Sequence, residues 1–197
     1  MFSKPYIYRQ VSKEEQAELL RARALRSLPA HEPPHYPEGE HLYFITGACY
    51  EHAHILASAG RQREFADKLH ERMADIHAWV VMPNHYHLVL TCDLERLGQV
   101  IAGLHNGTST QWNREDGTIG RRVWYRFVDR KIRSERHYFA SSNYIHVNPM
   151  KHGYVTDLAD WATSSFSEWL GRLGRDEMVR IWKSYPVRDF GKDWDVF

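Results

Sequence analysis

Apolar and polar positions along this chain fall into short segments of two kinds, and their order is more informative than any one of them. Residues 41–50, HLYFITGACY, are rich in β-formers and predict a first strand. Residues 60–76, GRQREFADKLHERMADI, instead put Phe65, Leu69 and Met73 on one helical face. HAWVVMP (77–83) predicts a second strand, Pro83-Asn84 a bend, and HYHLVLTC (85–92) a third strand. Residues 93–115 are helical at least in their first half, 116–122 form a glycine-bearing loop, and VWYRFVDRKI (123–132) reads as a fourth strand. A further helix is expected over 134–150, with Ser134 as N-cap and Pro149 marking its end. Residues 41–132 thus give β-α-β-β-α-β. That is an α+β, ferredoxin-like sandwich, a four-stranded antiparallel sheet with two helices on one face.

The flanks differ from this pattern. Residues 12–28 read as an amphipathic helix with a capping box, Ser12 with Glu15 three residues later. PAHEPPHYPEGE (29–40) is a proline-rich connector that cannot continue it. The expected organisation is an N-terminal arm over 1–40, a domain over 41–156, and a C-terminal appendage over 157–197 packed on that domain.

Bulk composition narrows the class. A chain of 197 residues with 43% hydrophobic content carries a proper core. No apolar run approaches a membrane span, and MFSKPYIYRQ lacks the apolar stretch of a secretion signal. Two cysteines, Cys49 and Cys92, form no disulfide framework, so a cytoplasmic location is expected. The net charge of +1 argues weakly against a nucleic-acid binder, but residues 121–136 carry +5, seven Arg or Lys against Asp129 and Glu135. Trp124, Tyr125 and Phe127 are interleaved with them. Arginines supply phosphate contacts and aromatics supply stacking faces, although a solvated basic edge strand would look the same.

The chemistry centres on MPNHYHLVL (82–90). In a strand, residues i and i+2 share a face, so His85 and His87 lie side by side while Tyr86 points away. Two imidazoles one pleat apart can grip a metal ion or a phosphate; they can also be hydrogen-bonded structural histidines. If they face away from the two packed helices, the helix 134–150 covers them. On it, Tyr144 and Asn148 are four residues apart and share a face. His85, His87 and Asn148 would then form a three-ligand set with Tyr144 one turn away.

HAWVVMPNHYHLVL followed by NYIHVNPMKHGYV resembles the REP-associated tyrosine transposases, part of the larger group of HUH single-tyrosine transposases. The likeness runs from about Leu42 to Trp169 and takes in YFITGACY, VWYRFVDRKI and DWATSSFSEW. It implies a ferredoxin-like fold, His85 and His87 as metal ligands, Asn148 as a polar third ligand, and Tyr144 as nucleophile. It also implies cleavage and rejoining of single-stranded DNA beside hairpins (REP-like palindromes) with Mg²⁺ or Mn²⁺, through a covalent 5′-phosphotyrosine. Two imidazoles and an amide suit Mn²⁺ better than the harder Mg²⁺. Arg121, Arg122, Arg126, Arg130 and Lys131 become candidate DNA contacts, Arg126 and Arg130 foremost, with Trp124 either a stacking platform or a core residue. His146 points off the Tyr144 face and reads as structural or DNA-facing; His77 reads as a core histidine, and His152 is a tempting extra ligand. Relatives can exchange tyrosine helices between subunits, but the short connection at 133–134 leaves little slack, favouring a monomer. The rival readings are a non-catalytic nucleic-acid-binding module and a metal-dependent hydrolytic nuclease.

Overall fold

The computed structural model describes residues 39–188 and, before them, residues 12, 14, 15, 18 and 21. The connector up to residue 38, most of the helix expected over 12–28 and the tail 189–197 lie outside the described residues. Within the arm, Ser12 and Glu15 exchange the expected capping-box bonds: Ser12 N–H donates to Glu15 Oε2 at 2.8 Å and Glu15 N–H to Ser12 Oγ at 3.2 Å.

From residue 39 the chain runs β1 (His41–Ala48), α1 (Ala59–Arg72), β2 (Ile76–Val81), β3 (His85–Cys92), α2 (Leu94–Glu115), β4 (Val128–Lys131), α3 (Glu135–Lys151), α4 (Phe166–Leu173) and α5 (Arg175–Ser184). The four strands form one antiparallel sheet in the order β2-β3-β1-β4. This is the α+β, ferredoxin-like arrangement expected from the element order. Strand alternation divides the core in two. Tyr43, Ile45, Trp79, Val81, Tyr86, Leu88 and Leu90 pack on α1 and α2. Phe44, Ala78, Val80, Met82 and Val89 pack on the other face with Tyr144 and Ile145 of α3.

The segment after 157 builds this second layer. Trp169 of α4 and Met178 of α5 are buried in it, and the Trp169 indole donates to the His77 carbonyl at 2.8 Å. Residues 163–165 also close the β2 edge, where Val81 N–H donates to Thr163 O at 2.9 Å and Ser165 N–H to Trp79 O at 3.0 Å. No helix among the described residues is long and apolar enough to cross a membrane.

Two elements differ from expectation. The fourth strand is ladder-bonded only over Val128–Lys131, not 123–132. Val123 and Trp124 are neighbours that both turn into the α1/α2 core, which a regular period-two strand does not permit. Trp124 keeps only an isolated bridge to Cys49. Nor does Pro149 end α3, which continues to Lys151. The true stop is Gly153 in the left-handed region (φ 74): Tyr154 N–H bonds Pro149 O at 2.9 Å and Gly153 N–H bonds Met150 O at 3.0 Å, a Schellman termination.

Gly47 leaves room for the ring of its cross-strand neighbour Tyr86. A Cβ there would lie 2.2 Å from Cε1 of the buried Tyr86 ring. Gly47→Ala is therefore expected to cost at least about 2 kcal/mol of stability, read from urea unfolding midpoints. Burial also sets an acid limit. It pulls the His105 imidazole down to about 4 and that of His146 to about 3. Unfolded histidines protonate near pH 6.5, so the unfolded chain takes up more protons below that value. Stability is then full above about pH 6.5 and falls towards pH 4, by up to about 1.4 kcal/mol per pH unit for each histidine. Unfolding midpoints measured across this range check it, and His105→Gln should flatten the slope.

Candidate active site

β3 begins directly after the Pro83-Asn84 bend, and its alternation turns His85 and His87 toward α3 while Tyr86 enters the α1/α2 core. Tyr86 is structural: it is fully buried, burial raises its phenol pKa, and its hydroxyl meets His105 Nε2 at 3.0 Å. α3 starts at Ser134, whose side chain accepts from His137 N–H. It carries Tyr144 and Asn148 over the sheet, and both are fully buried.

Both histidines are held through the same ring nitrogen. His85 Nδ1 lies 2.7 Å from Asn84 Oδ1, and Asn84 Nδ2 donates to the His52 carbonyl at 3.2 Å. That second bond orients the amide so that Asn84 Oδ1 accepts from Nδ1 of His85 and leaves Nε2 facing Asn148. His87 Nδ1 meets Thr46 Oγ1 at 2.9 Å, and its ring stacks on Phe44 at 5.3 Å between centroids. The two imidazoles are 4.9 Å apart. Burial, reinforced by the positive charges of His152 and Lys151, pulls the His87 pKa down to about 3. The ring is neutral at pH 7, as a metal ligand must be.

Asn148 presents Oδ1, not its amide nitrogen, at 3.0 Å from His85 Nε2. Imidazole nitrogen and amide oxygen are both ligands that divalent transition ions accept, so this donor set fits a divalent metal. His85 Nε2 and Asn148 Oδ1 would hold it, and with Nδ1 of His87 engaged by Thr46 the third position falls to His87 Nε2. Among the described residues no cluster of three or more His, Cys, Asp or Glu could hold a metal; the Asn148 amide would have to complete the set.

The Tyr144 ring lies edge-on to His87 (5.4 Å) and Phe44 (6.1 Å). Lys151 Nζ donates to the Tyr144 hydroxyl at 3.3 Å and sits 5.0 Å from its ring centroid. Tyr144, Asn148 and Lys151 therefore form one i, i+4, i+7 stripe. His152 is half-buried, its ring 5.4 Å from that of His85.

The basic stretch is dispersed. Arg121 is engaged in a structural clamp, pairing with Asp116 at 2.7 Å and donating to Asn113 Oδ1 at 3.0 Å. With Arg61, it holds the Asp116 carboxyl down at about 2. Trp124 is no stacking platform. It is 6% exposed, lies parallel to His105 at 4.4 Å, and donates to Thr108 Oγ1; the core claims it because Val123 and Trp124 turn inward together. Arg122 stacks on Tyr50. Arg126, Arg130 and Lys131 are exposed, and Arg130 pairs opposite Phe44, on the α3 face. His146 is structural, buried with Nε2 at 3.0 Å from Ser165 Oγ and packed against Trp169. His77 is half-buried, bonded to Thr91 Oγ1 at 2.8 Å.

Asn84, Thr46 and Lys151 were not among the candidates read from the sequence. Lys151 follows Tyr144 by two helical turns, and Thr46 is a polar residue in an apolar strand; both were signals available there.

A search of family models finds no match. A curated relative, the REP-associated tyrosine transposase of Escherichia coli (strain K12), is 31% identical over 103 residues, which is 52% of this chain and 60% of that protein. The aligned part thus spans about 60% of the relative's length. A solved structure of a REP-associated tyrosine transposase bound to a REP hairpin matches with a TM-score of 0.54 and 26% identity, covering 72% of this chain and 86% of that one. The chain resembles the REP-associated tyrosine transposases in both sequence and fold.

Proposed function

We propose that this chain, which resembles the REP-associated tyrosine transposases, is an HUH-type DNA strand transferase. It cuts single-stranded DNA beside a hairpin through a covalent bond to Tyr144. The observation that carries this reading is the meeting, on one face of the sheet, of a phenol with a lysine on its oxygen and of two imidazoles with an amide oxygen.

Tyr144 Oη gives up its proton to solvent and attacks the scissile phosphorus, the bond from phosphorus to the 3′ oxygen breaks, and that oxygen takes up a proton, so the products are a 5′-phosphotyrosine and a free 3′-hydroxyl. One phosphodiester replaces another, so the step reverses easily when a second 3′-hydroxyl attacks, which suits strand transfer. A free phenol has a pKa near 10 and is a weak nucleophile at pH 7. Lys151 answers that: its ammonium favours the phenolate as the proton leaves and then faces the charge growing on the phosphate. A divalent metal, when bound by His85, His87 and Asn148, supplies Lewis-acid polarisation of the phosphate. Tyr144 is fully buried, so a phosphate reaches it only as covering side chains, Lys151 among them, move aside. Arg126, Arg130 and Lys131 are the exposed cations proposed to follow the backbone.

Removing the Lys151 charge should separate chemistry from binding. Lys151→Ala is expected to slow adduct formation roughly a hundredfold while hairpin affinity changes only a few-fold, and Lys151→Arg should recover part of the rate. Single-turnover rates alongside filter binding measure both. The reading as a whole is tested with hairpin strands labelled at either end and incubated with Mn²⁺ or with chelator. It expects metal-dependent cleavage that leaves protein on the 3′-side fragment. Binding without cleavage, across several hairpins, would leave a non-catalytic module.

A further inference from the structure

We propose that Tyr50, Tyr125 and Arg122 form a stacking subsite for one unpaired base of the DNA strand next to the cleavage site, an inference that rests on the strand-transfer reading. The chain builds this cluster deliberately. Cys49 and Trp124 form an isolated antiparallel bridge and both turn into the α1/α2 core. Tyr50 and Tyr125, the residues after each, stay half-buried outside it. Tyr50 N–H donates to Val123 O at 2.7 Å and Tyr125 N–H to Ala48 O at 2.9 Å, which fixes the two segments side by side. The rings lie 5.0 Å apart, tilted by 49°. The Arg122 guanidinium sits 4.5 Å from the Tyr50 centroid and 5.6 Å from that of Tyr125, and its Nε–H donates to Trp124 O. The His52 ring adds a third face, 5.7 Å from Tyr125.

Three features point to a ligand and not to packing. Aromatic faces beside a planar cation are the chemistry by which proteins hold single-stranded bases with little sequence preference. Glu51 and His52 both have left-handed backbone, φ 52 and 53, although neither is glycine; strain of this kind gathers at binding sites. The cluster is also wired to the metal ligands, because the His52 carbonyl accepts from Asn84 Nδ2 and Asn84 Oδ1 accepts from His85 Nδ1. The His52 backbone, whose side chain borders the cluster, thus lies two hydrogen bonds from the His85 imidazole. The stacking role that VWYRF advertised in sequence thus falls to Tyr125 and not to Trp124.

The test uses the full chain, without metal so that nothing is cut, and hairpin oligonucleotides with short flanks in which 2-aminopurine replaces successive bases. Wild type should quench one flank position on binding. Tyr125→Leu and Tyr50→Leu should each reduce that quenching and weaken binding about tenfold, whereas Tyr125→Phe, which keeps the ring, should retain both. Thermal unfolding of each variant guards against loss of the fold, and the Phe/Leu contrast stays decisive if Tyr50→Leu is unstable. Unchanged quenching and affinity in Tyr125→Leu, or DNA binding with no quenched flank position, overturns the subsite while leaving the strand-transfer reading standing. A wild-type chain that binds none of these strands overturns both.

Discussion

Exchanging Tyr144 for phenylalanine is expected to abolish covalent attachment to DNA while leaving hairpin binding nearly intact. The variant keeps the ring, and with it the edge contacts to His87 and Phe44. It deletes the hydroxyl oxygen, which accepts from Lys151 at 3.3 Å. Loss of a hydrogen bond typically costs about 1 kcal/mol of stability, too little to unfold a domain with two core layers. The chemical loss is of another order. No other described tyrosine stands on the histidine face with a cation at its oxygen: Tyr86 lies on the opposite face against His105, and Tyr138 is a turn and a half earlier on α3, edge-on to His77. Adduct yield on denaturing gels should fall to background, with affinity by filter binding within about twofold. Cleavage that survives in the variant without an adduct would mean that water is the nucleophile.

The second large effect concerns the metal set. His85→Ala should weaken Mn²⁺ binding more than a hundredfold and lower strand cleavage by two to three orders of magnitude. Asn84→Ala leaves every proposed ligand in place yet removes the bond that orients the His85 ring, so it should cost roughly ten- to a hundredfold in Mn²⁺ affinity. Isothermal titration calorimetry without DNA measures both independently of catalysis. Equal affinity in wild type and His85→Ala would remove the metal assignment. Chelation of wild type should reproduce the cleavage defect of His85→Ala.

The sequence made the frame legible because period and order were both clear. Alternation in HYHLVLTC put both histidines on one face, and the order β-α-β-β-α-β left one sheet face for the helix bearing Tyr144. The capping residue Ser134 and the i, i+4 pair of Tyr144 and Asn148 could be read directly. What could not be read depends on tertiary packing. Trp124 looks the same in sequence whether it is exposed or stacked on His105, and only the irregular bridge at Cys49 decides. Pro149 is a helix breaker by propensity, yet in the last turn of α3 its missing N–H is tolerated and Gly153 sets the stop. Arg121 was indistinguishable from its basic neighbours until Asp116, on a loop five residues earlier, was seen to hold it. Thr46 and Asn84 act through their contacts with His87 and His85, and such contacts depend on strand register and a bend.

The most direct test of the central claim is peptide mass spectrometry on the full chain after reaction with a hairpin-bearing single strand and Mn²⁺, followed by nuclease digestion. The account predicts one modified peptide, carrying nucleotide through its 5′-phosphate on Tyr144, together with a released strand ending in a 3′-hydroxyl. Cleaved DNA with a free 5′-phosphate and an unmodified Tyr144 peptide would contradict it.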